Sequence, residues 1–279
     1  MTSRNAASAA AWWRPYVLWL VVAAAALTAV TWQVVAGGPL TAADWPVHRA
    51  VDARQPEGAP LALAVAVARL GQRWLTAPVL LGVGAWVGWR RRDWRPPAAA
   101  VTGLVSLAVL GTLLKVAVGR TPPVIGVDVV DPGLGNVAAW LAAVLSPGGP
   151  PYDGFVSFPS GHTANAALTY PLLAWLLFGR NGRWPDPRAL RWALAGAAVP
   201  VLAVGVMMTA LDYHWASESL GGWALGIVVA LLGRLALGPG DTGAVPAGAP
   251  PPPRRRRAPA EAGRGGPGAG PAGPAGGPP

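Results

Sequence analysis

Ser157-Phe158-Pro159-Ser160-Gly161-His162-Thr163 runs directly into an apolar stretch that continues to Phe178. A Pro-Ser-Gly turn before such a stretch marks a helix N-terminus, with Ser160 placed to cap the first free backbone N–H groups. Crossing a bilayer takes roughly 20 apolar residues. Residues 163–178 come near that length, and so do 16–36, 98–118, 190–210 and 220–237. A sixth stretch is interrupted: residues 75–89 are short and include Pro78, and the apolar residues 61–70 precede them. That region reads as one tilted span, or as an interfacial helix followed by a span. The expected fold is all-α, a polytopic membrane helix bundle of about six transmembrane helices.

Composition agrees. Of 279 residues, 53% are hydrophobic and 12% charged, whereas a soluble domain carries about a quarter charged residues. Tryptophans at positions 12, 13, 74, 89, 94, 184 and 192 fall near the proposed span ends, where amphipathic rings favour the interface. The chain has no cysteine, so disulfides, iron–sulfur clusters and thiol nucleophiles are excluded. Its formal charge of +10 is mostly arginine in a few clusters, which speaks against nucleic acid and for membrane lipids as the partner. Arg4 and Arg14 flank the first apolar run, which is too long for a signal-peptide core and reads as a retained helix.

Basic residues set the expected orientation, because cytoplasmic loops are enriched in lysine and arginine. Arg90, Arg91, Arg92 and Arg95 form one basic loop, and Arg180, Arg183, Arg188 and Arg191 another. Both should be cytoplasmic. Residues 121–162 and 211–219 contain neither lysine nor arginine and should face outward. The first loop departs from this pattern with Arg49, Arg54, Arg69 and Arg73. Six spans leave both termini in the cytoplasm. The chain divides into residues 1–60, an N-terminal transmembrane helix with an outer loop; 61–237, a helical core; and 238–279, a Pro/Gly/Arg-rich tail whose composition predicts disorder. Arg254 to Arg257 in that tail read as a solvated run or as a contact for anionic headgroups.

The rarest proton-handling side chains here are one lysine, Lys115, and three histidines, His48, His162 and His214. Lys115 lies at the outer end of the third span. Snorkelling would explain it, but an ionisable group inside a span is first of all a site candidate. Capping explains Ser160 and Gly161 and leaves His162 unexplained. A helix N-terminus offers free N–H groups and partial positive charge to an anion such as phosphate. His214 alone could be structural. Glu218 follows it at i+4, so the carboxylate can hold one imidazole nitrogen and leave the other nucleophilic.

These residues resemble the type 2 phosphatidic acid phosphatase superfamily, which includes lipid phosphatases and shares its core with vanadium haloperoxidases. Its signatures are a lysine, six residues and Arg-Pro; Pro-Ser-Gly-His; and Ser-Arg, five residues, His, three residues and Asp. Pro159, Ser160, Gly161 and His162 match the second in full, and the resemblance extends from about residue 61 to 237. It implies His214 as the nucleophile that forms a phosphohistidine, with His162 as the acid that protonates the leaving alcohol. Lys115, Ser160 and Gly161 would hold the phosphate of a lipid, and neither metal nor other cofactor is expected.

The departures are specific. Pro122 stands where the first signature has arginine, Met207 and Met208 where the third has Ser-Arg, and Glu218 where it has aspartate. Each missing cation costs on the order of 3 kcal/mol at a developing phosphoryl charge. Arg120 is the nearest replacement, with Arg69 and Arg73 as further candidates. The expected function is hydrolysis of a lipid phosphate monoester or diphosphate on the outer face, of the phosphatidic acid, phosphatidylglycerol phosphate or polyprenyl diphosphate type. The alternative is a catalytically impaired lipid-phosphate binding or assembly protein.

Overall fold

The computed structural model describes residues 12–239 apart from residue 147. The expected tail from 240 onward, with Arg254 to Arg257, and the N-terminal residues through 11 lie outside the described residues. Among the described residues nine α-helices follow one another: α1 (Arg14–Val35), α2 (Pro39–Asp52), α3 (Gly58–Arg69), α4 (Arg73–Arg91), α5 (Arg95–Val118), α6 (Leu134–Leu145), α7 (Gly161–Phe178), α8 (Pro187–Ala210) and α9 (Ala216–Ala236). Among the described residues the β structure is limited to an isolated bridge between Arg120 and Val130.

Six of these helices, α1, α4, α5, α7, α8 and α9, have 18 to 24 residues. Four of them, α1, α5, α8 and α9, are both long and apolar enough to cross a membrane. The other two are diluted by polar groups: α4 by Arg73, Arg90 and Arg91, and α7 by His162, Thr163 and Asn165. The interrupted region resolves into two helices, α3 and α4, joined by the turn at residues 70–72. Two segments expected as outer loops contain helices. The amphipathic α2 buries Thr41 and Asp44, and the short apolar α6 lies between α5 and α7. Neither is long enough to register as a span, and a threshold set by bilayer thickness passes over them.

The bundle is built around α9. Across its apolar stretch 67% of residues are buried, against 22% for α5 and α8 and 11% for α1. Large apolar side chains such as Leu18, Trp19, Val105, Val109, Val199 and Leu202 point outward, as they must where lipid is the solvent. Between helices, close backbone approach replaces hydrophobic drive. Gly222 and Gly226, spaced by three residues, provide that approach between α9 and α7. A Cβ on Gly222 would stand 2.6 Å from the Ser160 carbonyl oxygen and 2.9 Å from Thr163 Cβ, and one on Gly226 would stand 2.6 Å from the Ala164 carbonyl oxygen. Gly222→Ala is therefore expected to cost about 1–3 kcal/mol through overpacking. It should appear as a lower thermal midpoint in detergent; an unchanged midpoint would mean that α7 and α9 tolerate separation.

The helix directions gather one set of ends. The starts of α4, α7 and α9 lie at the same end of the bundle as the finishes of α1, α5 and α8. At the opposite end, Arg91 donates to the Gly182 carbonyl and Asn181 to the Leu237 carbonyl. The arginine-rich connections are found there, and the predicted site residues are at the other end.

Candidate active site

The turn between α8 and α9 presents His214. Asp212 takes a left-handed conformation (φ 57°), and the backbone N–H groups of Tyr213 and His214 both donate to the Met208 carbonyl at 3.1 Å. One helical turn into α9, Glu218 Oε2 lies 2.5 Å from His214 Nδ1. A carboxylate only accepts, so the proton sits on Nδ1 and the lone pair on Nε2. Ser157 Oγ donates to the same Oε2 at 2.6 Å and lies 3.3 Å from Nδ1. Glu218 has no solvent exposure and His214 is partly open, so the carboxylate is held dry behind an accessible imidazole.

Cap chemistry places the second histidine. Ser160 is the N-cap of α7 and accepts from the Thr163 backbone N–H at 3.5 Å, while the Thr163 hydroxyl donates to it at 3.0 Å. Its own N–H donates to the Glu218 carbonyl at 3.0 Å, which ties the start of α7 to the first turn of α9. The Ser160 hydroxyl is fully buried, and the structure places it in the cap and not at the open face. Gly161, by contrast, borders open space. His162 follows, half-buried, in electrostatic range of both His214 and Lys115. From the end of α5, Lys115 Nζ donates to the Val156 and Ser157 carbonyls at 2.7 and 3.1 Å and feels the Glu218 charge. Three distant segments thus bring an ammonium and two imidazoles to one place.

Arg120 stands apart from the other candidates. Its side chain is completely buried. It makes a fork–fork pair with Asp128, Nε to Oδ1 and Nη2 to Oδ2, each at 2.8 Å. Nη2 also donates to Asp44 at 2.8 Å, and Nη1 donates to Ser217 Oγ at 2.7 Å. Trp215 lies under the guanidinium at 5.2 Å, and Glu218 Oε1 is 3.9 Å from Nε. Burial works against the charged form, but the hydrogen bonds to Asp128 and Asp44 and the Glu218 charge more than offset it, so the pKa rises above the ordinary arginine value. Arg120 is thus placed as a hub beneath the site, committed to carboxylates, where the sequence had suggested a free phosphate ligand. Of the residues at the motif arginine positions, Met208 packs in the core with Ala68, Val204 and Leu211, and Pro122 precedes a short 3-10 turn, Pro123–Ile125.

Asp44 and Ser157 were not singled out from the sequence, and His48 was named there without a partner. Asp44 on α2 accepts from the Ser217 backbone N–H at 2.9 Å and from its hydroxyl at 2.5 Å. His48 Nδ1 pairs with Asp212 at 2.8 Å, and the His48 ring lies 5.2 Å from that of Trp215. Ser157 stands two residues before Pro159, at the head of the run that contains the motif. The one available signal was the i, i+4 spacing of Asp44 and His48.

A family model described as the PAP2 superfamily matches residues 97–238, half of the chain. Phosphatidylglycerophosphatase B of Bacillus subtilis (strain 168) is 27% identical over 168 residues, covering 60% of this chain and 70% of that protein. The crystal structure titled as the first transmembrane PAP2 type phosphatidylglycerolphosphate phosphatase from Bacillus subtilis superposes with a TM-score of 0.53. It is 21% identical and covers 80% of this chain and 94% of its own, a likeness of fold.

Proposed function

The chain belongs to the PAP2 superfamily, and on that premise we propose that it is an integral membrane phosphatase acting on a phosphate monoester or diphosphate of a lipid. The observation that carries this reading is the His214–Glu218 pair at 2.5 Å, with His162 in electrostatic range of His214 and Lys115 and Lys115 in range of Glu218. His214 Nε2 attacks phosphorus as the P–O bond to the lipid alcohol breaks, and His162 gives that oxygen its proton. The Nε2–P bond of the phosphohistidine is then cleaved by water, whose proton returns to His162, and inorganic phosphate leaves. Glu218 steadies the imidazolium that charge transfer creates, and Lys115 with the N–H groups at Gly161 offsets charge on the phosphoryl oxygens. Arg120 acts from behind, holding Glu218, Asp44 and Asp128 in place.

The name of the B. subtilis relative supports phosphatidylglycerol phosphate as the first substrate to try, ahead of phosphatidic acid and polyprenyl diphosphate. The basic connections at the opposite end of the bundle support an extracytoplasmic site with both termini in the cytoplasm. Purified protein given this panel, with the phosphate labelled, is expected to release inorganic phosphate. Quenched in alkali, it should retain label on His214. Absence of release from every member would overturn the proposal.

A further inference from the structure

We propose that Arg69 and Arg73, at the two sides of the α3–α4 turn, are phosphate-binding residues of this site, supplying the cations that Pro122 and Met208 do not. The inference rests on the phosphatase reading and names residues outside the family signatures. Gly71, midway between the two arginines, is buried against the first turn of α7, so closely that a Cβ there would overlap the His162 carbonyl and come within 2.8 Å of Val204 Cγ1. The turn is fixed in that position: Tyr170 on α7 donates to the Leu70 carbonyl at 3.0 Å, and Thr76 Oγ1 donates to the Gln72 carbonyl at 3.1 Å. Two Cα steps put each arginine within about 7.6 Å of the glycine, and a long, flexible side chain spans the remainder.

Both guanidinium groups are uncommitted. Arg69 and Arg73 are exposed, and among the described residues neither side chain has a hydrogen bond or an ion pair. The cations buried beside the site are already paired. Arg120 serves Asp44, Asp128 and Glu218, and His48 serves Asp212. Of Lys115, Arg120 and His48, Lys115 is left to meet a phosphate that carries close to two negative charges. Phosphoryl transfer depends on neutralising such charge, and an arginine fork matches two phosphate oxygens. The turn beside His162 is where free forks are available, which also accounts for basic residues in an otherwise outward-facing loop.

The test compares Arg69→Gln/Arg73→Gln with wild type and with Arg54→Gln, a control at the same end whose guanidinium donates to the Ala50 carbonyl of its own segment. With phosphatidylglycerol phosphate in detergent micelles, the double variant should lose on the order of 100-fold or more in kcat/KM at an unchanged melting temperature. Arg54→Gln should stay near wild type, and Arg69→Lys/Arg73→Lys should recover part of the loss. Wild-type kinetics in the double glutamine variant would overturn the inference while leaving the phosphatase reading intact. An equal loss in Arg54→Gln would also overturn it, in favour of general attraction to anionic lipid. Should wild type release no phosphate from any lipid, the phosphatase reading falls, and inorganic phosphate binding decides: affinity weakened in the double variant upholds the arginine site, and unchanged affinity refutes it.

Discussion

His214→Ala should reduce phosphate release by on the order of 10⁴-fold or more, with no label retained on the protein after alkaline quenching. The size follows from what the residue does. Removing a nucleophile deletes the covalent route and leaves only binding and charge neutralisation, and residues that act as a unit fail together. Glu218→Gln refines the test. It preserves shape, but it takes the obligate acceptor away from Nδ1, so the ring can settle in the wrong tautomer; neutralising a histidine-orienting carboxylate costs on the order of 10⁴ in kcat. The two variants should differ in trapped label: Glu218→Gln accumulates it slowly and His214→Ala not at all. Label that persists in His214→Ala would move the nucleophile to another residue.

Arg120→Leu should cost stability on the order of 3–5 kcal/mol, because it strands Asp44 and Asp128, which have no other cation among the described residues. Asp44 is 1% exposed and Asp128 12%, so neither can turn to water without moving α2 or the loop after α5. Arg120→Lys should be nearly as damaging, since a single ammonium cannot reproduce the paired donors to Asp128 or the stacking over Trp215. The measurement is the thermal midpoint and the yield of folded protein in detergent. Full stability combined with a raised KM would instead return Arg120 to direct contact with substrate. Restoring part of the lost stability with Arg120→Leu/Asp44→Asn would identify the stranded charge as the cause, because the second change removes the carboxylate that the first leaves unpaired.

Much of the bundle was legible because lipid imposes a length and a polarity on each span. The apolar stretches at 98–118, 190–210 and 220–237 correspond closely to α5, α8 and α9. Pro78 and the two apolar pieces around residues 61–89 left the second crossing open, because proline inside a span interrupts the pattern without deciding where the chain turns. The turn is at residues 70–72, where Gly71 allows contact with His162 that a side chain would prevent. Helix α2 went unseen for a different reason: at 14 residues with Asp44, His48, Arg49 and Asp52, it has neither the length nor the apolarity that a membrane demands.

The sequence by itself determined the solvent, the helical class and the proton-handling residues, because few residue types survive in lipid and a lone lysine and three histidines stand out against that background. The i, i+4 spacing of His214 and Glu218 was also decided locally, since helix geometry alone brings those side chains together. Only the tertiary structure decided what the charges do. Arg120 is separated from Asp44 by 76 residues and from Ser217 by 97, and a buried guanidinium seeks carboxylates wherever the fold supplies them. Its commitment, and the freedom of Arg69 and Arg73, depend on which helices meet, and the physical reason is that the energy of a charge is set by its neighbours in space and by its access to water.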